Sequence, residues 1–342
     1  MRHLTRILAL TALLAFPAFS QQQPQVVNAK FTTAAVTQGL AAQLAALEKQ
    51  RGPLWTGYSI PVTDKFSNGW NSDHITYLEG SHDFSRGETT RPRQSFDHTF
   101  ILLRIANGDV EKLRLELPDR HLDAGNLPFV WLTGVTPEDS IATLNTLVLK
   151  PTSKHLRDSA ILAIALHDVP AATPVLISLT ASSNDLGLRE KAAFWLANQR
   201  GRDGFLAIQR LLREDADPAF REKLTFDLTL TKDPEALPLL IRTAHEDASP
   251  RVRKQAQFWM AEKGGKAVAG DLRNQAENDP EASLRKSAVF ALSRLPQDEA
   301  IPQLIQLATT SKDPAVRKQA VFWLGQSDDP RALDYLTKLL KQ

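Results

Sequence analysis

Six arginines recur every 32 residues along the C-terminal part of the chain, with no insertion or deletion between them. They are Arg157, Arg189, Arg221, Arg253, Arg285 and Arg317. The residue before each arginine is apolar, and apolar residues follow three and seven positions later, which places them on one face of a helix. A second apolar stripe follows in each interval, as at Ile301, Leu304 and Leu307. Each unit is therefore predicted to be two antiparallel helices stacked on its neighbours.

Residues that favour helix N-termini support this interpretation. A serine or aspartate stands four residues before five of the six arginines, and a proline follows it in three units. These capping residues are Ser153, Asp185, Asp217, Ser249 and Asp313. Glu281 breaks the column, and Asp279-Pro280 before it predicts a helix start shifted by about two residues.

The interval also predicts where the array begins. Counting 32 residues back from Arg157 reaches Gly125, yet Trp131 and Leu144 keep the register of the later units. Residues 119–150 are therefore predicted to be a degenerate first unit, and about seven helix pairs fill residues 119–342. The predicted fold class is mostly α: an α-solenoid preceded by a small α+β module that contains a β-hairpin.

Two aromatic columns run through the predicted array. Tryptophan recurs every 64 residues, at Trp131, Trp195, Trp259 and Trp323. The units between carry Ala163, Asp227 or Ala291 at that place, and such alternation of large and small side chains is typical of close packing. The other column follows the arginines by five residues, at Phe194, Phe226, Phe258, Phe290 and Phe322. These rings lie off the centre of the apolar stripe, so they either wedge between successive helices or line the wall.

The segment from Asp313 to Leu333 carries the full pattern, with Asp313-Pro314, Val316-Arg317 and a second Asp329-Pro330. It resembles a HEAT repeat of the short type first associated with phycobilisome lyases. The whole layout resembles secreted bacterial HEAT-repeat proteins, and the repeat pattern covers roughly two thirds of the chain. The resemblance implies a right-handed superhelix of helix pairs whose concave wall is lined by the arginine-bearing helices.

Two groups of enzymes share this resemblance. Phycobilin lyases handle a tetrapyrrole, and an exported protein would not meet that pathway. Deoxyhypusine hydroxylases hold two irons with repeated His-Glu pairs, whereas His245-Glu246 is the only such dipeptide in this sequence. The resemblance therefore implies the fold and neither activity.

Residues 1–20 have the three-part layout of a secretory signal peptide. Arg2 and Arg6 precede an apolar stretch of ten residues, which Pro17 and small residues separate from Gln21. That stretch is too short to span a bilayer, and no later segment qualifies as a span. We expect an exported protein, periplasmic or extracellular. The chain has no cysteine, which excludes disulfides, thiolate nucleophiles and cysteine-bound metals.

Residues 21–118 are predicted to form the small α+β module. Thr33 to Gln50 has helical spacing of its apolar residues, and residues 21–29 are predicted to have no regular structure. Asn107-Gly108 between two alternating segments is typical of a β-hairpin. The predicted strands are 55–60, 75–78, 100–106 and 110–117, and residues 64–94 are predicted to be a long polar loop.

Four histidines of this region stand beside or near an aspartate: His74, His82, His98 and His121. Neutral imidazole with carboxylate can bind zinc or transfer protons, so these are the candidate metal ligands. No His-Glu-x-x-His or other fixed spacing accompanies them, which favours ordinary loop and strand histidines. No catalytic residue and no cofactor site is predicted, since Walker, Gly-x-Ser-x-Gly and dinucleotide motifs are absent.

The preferred functional hypothesis is an exported scaffold that binds a protein or peptide of the cell envelope on its concave face. The candidate contact residues are Lys254, Lys286, Lys318, Phe258, Phe290 and Phe322. Glu190 and Glu222 give the earlier units an acidic face instead. With 41 basic and 39 acidic residues, nucleic acid is a poor candidate partner. The alternatives are a metal-dependent enzyme using the histidines and a purely structural envelope component; the oligomeric state is not predicted.

Overall fold

The computed structural model of the protein describes residues 23–66, 75–80, 96–151 and 153–341. They divide into two compact units, an N-terminal module (23–60 and 64–135) and a helical array (61–63 and 136–341). The interpreted signal peptide, residues 1–20, lies outside the described residues. Much of the predicted polar loop lies outside them as well, since residues 67–74 and 81–95 are not described.

The N-terminal module is built around a mixed sheet. Its elements are β1 (Gln25–Val27), β2 (Lys30–Ala35), α1 (Leu40–Glu48), β3 (Leu54–Phe66), β4 (Thr76–Tyr77), β5 (Phe96–Ala106), β6 (Asp109–Glu116), β7 (His121–Asp123) and β8 (Pro128–Thr133). Five strands form one sheet in the order β2-β8-β3-β5-β6, and three short strands form another in the order β1-β7-β4. Apolar residues of both sheets form one core that includes Trp55, Phe100, Leu122 and Phe129.

The hairpin prediction is confirmed. β5 and β6 pair antiparallel around Asn107 and Gly108, which have positive φ angles of 56° and 79°, as a two-residue turn of the primed type requires. The strands predicted at 55–60 and 75–78 are present within β3 and β4. The alternation of β6 is less regular than predicted, because Glu116 on its polar face is buried beside Arg114, 2.9 Å away.

The start of the module was predicted wrongly. Residues 33–35 belong to β2 and the helix is α1, which begins only after Gly39. Gly39 has a φ of 89°, a conformation that a glycine adopts readily and that separates the strand from the helix. Residues 25–27, expected to have no regular structure, form β1.

The array also begins later than the 32-residue count predicted. Trp131 and Leu132 lie in β8, where Trp131 is fully buried and its ring meets Phe100 edge-on at 5.0 Å between centroids. Trp131 is therefore a core residue of the module and no member of the tryptophan column. The run Pro128–Thr133 is aromatic and β-branched and pairs with strands on both sides, so sheet formation prevails over the helical register. Of the predicted unit 119–150, only the second helix is present.

That helix opens an array of thirteen helices in the described residues 136–341. They are α2 (Pro137–Leu149), α3 (Lys154–Leu166), α4 (Ala172–Leu179), α5 (Leu186–Gln199), α6 (Gly201–Glu214), α7 (Pro218–Leu230), α8 (Ala236–Glu246), α9 (Pro250–Gly264), α10 (Ala269–Asn278), α11 (Ala282–Ser293), α12 (Gln297–Thr310), α13 (Pro314–Gly325) and α14 (Pro330–Leu339). From α3 onward they form six pairs, one for each arginine. The array is thus a HEAT-like α-solenoid of six pairs and one extra helix.

The N-caps follow the sequence with one correction. Ser153, Asp185, Asp217 and Asp313 each accept a hydrogen bond from a backbone N–H of the helix that they precede. The shifted start predicted near Asp279 is wrong: α11 begins at Ala282 with Glu281 at the N-cap position. Asp279 instead accepts from the N–H of Glu281, which holds the loop in register.

The helices of the array form two rows. The arginine-bearing helices α3, α5, α7, α9, α11 and α13 pack on one another in sequence, and we call them the inner row. Their partners, from α4 to α14, lie farther apart and form the outer row. Closer spacing on one side curves the array toward that side, which makes the inner row its concave wall. None of the described helices is both long and apolar enough to cross a membrane.

Because each pair buries its apolar stripes against neighbouring pairs, the cost of a cavity depends on position. Leu292 of α11 is fully buried, whereas Leu339 of α14 is 41% exposed. We expect Leu292→Ala to lower the free energy of unfolding by about 2–5 kcal/mol. Leu339→Ala should cost clearly less, and denaturant titrations measure both. Equal losses would contradict a stack stabilised by nearest neighbours.

His167, at the end of α3, is a buried polar group of the array. Its Nδ1 lies 2.7 Å from the carbonyl oxygen of Ala163, which can only accept, so Nδ1 carries the proton. Nε2 then accepts from the hydroxyl of Ser140, 2.9 Å away on α2. Burial lowers the pKa of His167 to about 4, and the nearby positive charge of Arg200 acts in the same direction.

This imidazole makes stability depend on acidity. In the unfolded chain a histidine takes up its proton near pH 6.5, but His167 in the folded chain does so only near pH 4. Stability is therefore present above the unfolded value and lost as the pH falls through this window, by roughly 3 kcal/mol. His167→Gln should reduce the pH dependence of the urea midpoint between pH 6.5 and 4. An unchanged pH dependence in that variant would contradict the assignment.

Candidate functional site

The inner row carries a ladder of ion pairs between successive units. Arg157 meets Asp185 of the next unit at 2.9 Å, Arg253 meets Glu281 at 3.2 Å, and Arg285 meets Asp313 at 2.8 Å. Arg221 donates two hydrogen bonds to Asp247, each 2.9 Å long. Arg189 is nearly buried and pairs with Asp215. A planar guanidinium bonds carboxylate and backbone oxygens together, so the ladder fixes the spacing of the inner helices.

The last rung differs from the others. Arg317 donates to the carbonyl oxygen of Ser311 at 2.7 Å, as Arg285 does to Asp279 at 2.8 Å. No carboxylate of the described chain pairs with Arg317. The arginine column therefore serves to join units, and its side chains are engaged within the array itself.

The two aromatic columns merge into one continuous row of rings, which we call the aromatic ribbon. It comprises Phe194, Trp195, Phe226, Phe258, Trp259, Phe290, Phe322 and Trp323. Each tryptophan meets the phenylalanine before it in the chain edge-on, and Trp259 and Trp323 also contact the phenylalanine of the preceding unit. Phe194 stacks on Phe226 at 6.4 Å, and Phe258 on Phe290 at 6.0 Å. Both predicted placements are thus realised: the rings wedge between helices and line the wall.

The ribbon is only half covered by the protein. Phe194, Phe226, Phe258 and Phe290 are partly exposed, and Phe322 is 51% exposed. The indole Nε1 atoms of Trp195, Trp259 and Trp323 are buried and have no hydrogen-bond partner among the described residues. A contiguous, partly exposed apolar surface rimmed by polar residues is typical of an interaction site.

Three lysines accompany the ribbon in its last three units. Lys254, Lys286 and Lys318 each lie one helical turn before a ribbon phenylalanine, on α9, α11 and α13. Lys286 and Lys318 are exposed and Lys254 is partly exposed. None of the three forms an ion pair in the part of the chain that is described, so their positive charge is uncompensated. The candidate contact residues of the sequence are therefore brought together on one face.

The earlier units present the opposite charge. Glu190 of α5 is partly exposed without an ion pair, whereas Glu222 of α7 pairs with Arg251. Asp227 stands in the tryptophan column between Trp195 and Trp259, yet it is a carboxyl group and only 3% exposed. Burial, with the nearby charge of Glu190, raises the pKa of Asp227 well above its ordinary value. The sequence shows Asp227 as a break in the column, but not that its carboxyl is buried.

The four candidate metal-ligating histidines are not brought together in the described structure. His98 contacts its neighbour Asp97 at 2.6 Å, and His121 lies exposed on β7. His74 and His82 lie outside the described residues. No group of three His, Asp or Glu side chains suited to a metal occurs where the chain is described. A cavity of about 460 Å³ in the module is lined by Arg104 and Glu111 near the hairpin turn, away from both histidines.

Comparisons with known proteins agree with the repeat architecture. A family model described as HEAT repeats matches residues 270–342, the end of the array. A comparison with curated proteins finds no match.

Several solved structures resemble the array. Human deoxyhypusine hydroxylase in complex with glycerol is 16% identical and the match covers 59% of this chain and 90% of that one, with a TM-score of 0.33. The complex of CpcE and CpcF of phycocyanin lyase from Nostoc is 26% identical over 46% of this chain and 99% of that one, with a TM-score of 0.34. Kap121p is 12% identical over 59% of this chain and 27% of its own, with a TM-score of 0.38. All three TM-scores are below 0.5.

The buried carboxyl of Asp227 leads to a pH-dependent prediction. The unfolded chain releases this proton near pH 4, whereas the folded chain retains it to a higher pH because its pKa is raised. Asp227 therefore lowers stability as the pH rises, and this cost is absent at low pH, where both states hold the proton. Asp227→Asn has no proton to lose. We expect it to match the wild-type protein near pH 4 and to be more stable at pH 7 in urea titrations.

Asp328→Asn, at an exposed position, is the matched control and should leave the pH dependence unchanged. If Asp227→Asn shifts stability equally at both pH values, the carboxyl of Asp227 is not the group that titrates.

Proposed function

We propose that the protein is an exported scaffold without catalytic activity that binds an extended acidic segment of another protein on its inner row. The signal-like layout of residues 1–20 supports export, and a cell-envelope partner follows from it. The observation that carries the proposal is the regular pairing of an unpaired lysine with a partly exposed ring in each of the last three units. The contact residues are those six: Lys254, Phe258, Lys286, Phe290, Lys318 and Phe322.

The geometry fits an extended ligand. The six residues lie at equivalent positions on α9, α11 and α13, so the lysines and rings recur along the row with the spacing of the units. An extended chain can lay side chains against the rings while its carboxylates meet the ammonium groups. Rigid helices display these groups before binding, which reduces the entropy lost on association.

Charge is expected to act on specificity and association rate more than on affinity. Lys286 and Lys318 are exposed to solvent, where a single ion pair is worth little. Three equal charges in a row, however, attract an acidic segment and disfavour a basic one. The metal-dependent enzyme proposed as the alternative gains no supporting contact from His98 or His121.

The test uses two labelled peptides, ten glutamates and ten lysines, and fluorescence anisotropy. We expect the glutamate peptide to bind the wild-type protein and the binding to weaken as salt rises, since exposed charges are screened over about 10 Å at 0.1 M salt. Reversing Lys254, Lys286 and Lys318 to Glu together should weaken it at least about tenfold.

The matched control reverses Lys49, Lys150 and Lys312, three exposed lysines away from the ribbon, and changes the net charge equally. It should retain binding. Equal loss in both triple variants, with folding intact by circular dichroism, would reduce the effect to net charge. Retained binding in the Lys254, Lys286 and Lys318 variant would show that this face is not the contact.

A further inference from the structure

The tryptophan column holds one carboxyl group that the fold itself does not need. In the equivalent places of other units stand Trp195, Trp259 and Trp323, or the small residues Ala163 and Ala291. Asp227 is 97% buried, since its exposed fraction is 3%, and its Oδ2 has no hydrogen-bond partner in the described chain. An alanine suffices for packing at two of the equivalent positions. A buried carboxyl without a donor is costly, so its presence calls for a partner.

The lysines nearest in the chain do not supply that partner. Lys223 lies one turn before Asp227 on α7, but it is exposed and donates no hydrogen bond to the carboxyl. Lys191, in the preceding unit, pairs with Asp158 at 3.5 Å. The charge that acts on Asp227 is the carboxylate of Glu190, which is also without an ion pair. Two acidic groups therefore face one place, and no cation of the described array neutralises either.

The surroundings of Asp227 are aromatic. Phe194 of α5 and Phe226 of α7 stack with centroids 6.4 Å apart and planes within 22° of parallel, and Asp227 directly follows Phe226. The ring of Trp195 meets Phe194, and the ring of Trp259 meets Phe226 at 4.8 Å. Ring faces attract cations through their quadrupole, and a carboxylate beside them adds a direct charge. Aromatic faces with acidic groups are the chemistry that recognises ammonium and guanidinium ions.

We propose that Asp227, Glu190 and the rings of Phe194 and Phe226 form a binding site for a guanidinium or ammonium group. Such a group would donate to the unpartnered Oδ2 of Asp227 and to Glu190 while its flat or methylene surface lies against the rings. The cation is supplied by a basic side chain of the bound partner, and in this respect the proposal rests on the proposed function.

The site gives a direction to the bound segment. Lys254 belongs to the unit that follows Asp227, and Lys286 and Lys318 to the two units after that. A segment that places a basic residue at Asp227 and acidic residues along the three lysines satisfies both groups of charges in one orientation only. The reversed orientation brings like charges together, which disfavours it.

The direct test titrates the full chain with N-acetylarginine amide and follows tryptophan fluorescence, because Trp195 and Trp259 flank the site. N-acetylcitrulline amide has nearly the same shape without the charge and is the matched ligand control. We expect saturable binding of the arginine derivative, and none of the citrulline derivative in the same range. Asp227→Ala and Glu190→Gln should each weaken it at least about tenfold, and Glu277→Gln, at an exposed carboxyl of α10, should not.

Asp227→Ala introduces the residue found at Ala163 and Ala291, and circular dichroism checks that it folds; if it does not, Glu190→Gln decides. Equal binding of the citrulline derivative, equal binding by the Asp227 and Glu190 variants, or no saturable change up to about 100 mM would overturn the site. The glutamate-peptide assay on the last three units is independent of these variants. Its success with failure here removes only the cation site, and its failure removes the proposed function.

Discussion

The array depends on one constraint: a pair of short helices cannot bury its apolar stripes alone and must stack on another pair. Leu292 and Ile301 are buried because neighbouring pairs cover them, while Leu333 and Leu340 of the last helix are 68% and 88% exposed. The guanidinium ladder and the aromatic ribbon are both consequences of stacking. Each arginine or ring reaches the next unit, so the same contacts that hold the units together also set their spacing.

That regular spacing is what turns ordinary surface residues into a candidate site. One lysine beside one phenylalanine on a helix is a common surface feature and needs no functional explanation. Three such pairs on α9, α11 and α13, at equal places on a curved wall, form a row that an extended ligand can follow. The acidic groups at Glu190 and Asp227 belong to the same wall, so the wall is polarised although the whole chain is nearly neutral.

The sequence predicts the array well because its period is free of insertions. The positions of Arg189 or Arg285 suffice to place a helix, its cap and its buried face. The same counting fails before residue 136, where Trp131 fits the 64-residue interval by coincidence and lies in a strand. Local periodicity cannot reveal that β8 pairs with β2 and β3, which are distant in sequence. The burial of Asp227 was hidden for a related reason: its environment is built by the rings of adjacent helices, and single-helix spacing does not describe it.

The central claim is that an acidic segment lies along the inner row of the last three units. It is tested most directly by photo-crosslinking a glutamate-rich peptide that carries a benzophenone group and locating the crosslinked residues by mass spectrometry. The account predicts crosslinks within α9, α11 and α13, near Phe258, Phe290 and Phe322. Crosslinks confined to the outer helices α10, α12 and α14, or to the N-terminal module, would contradict it.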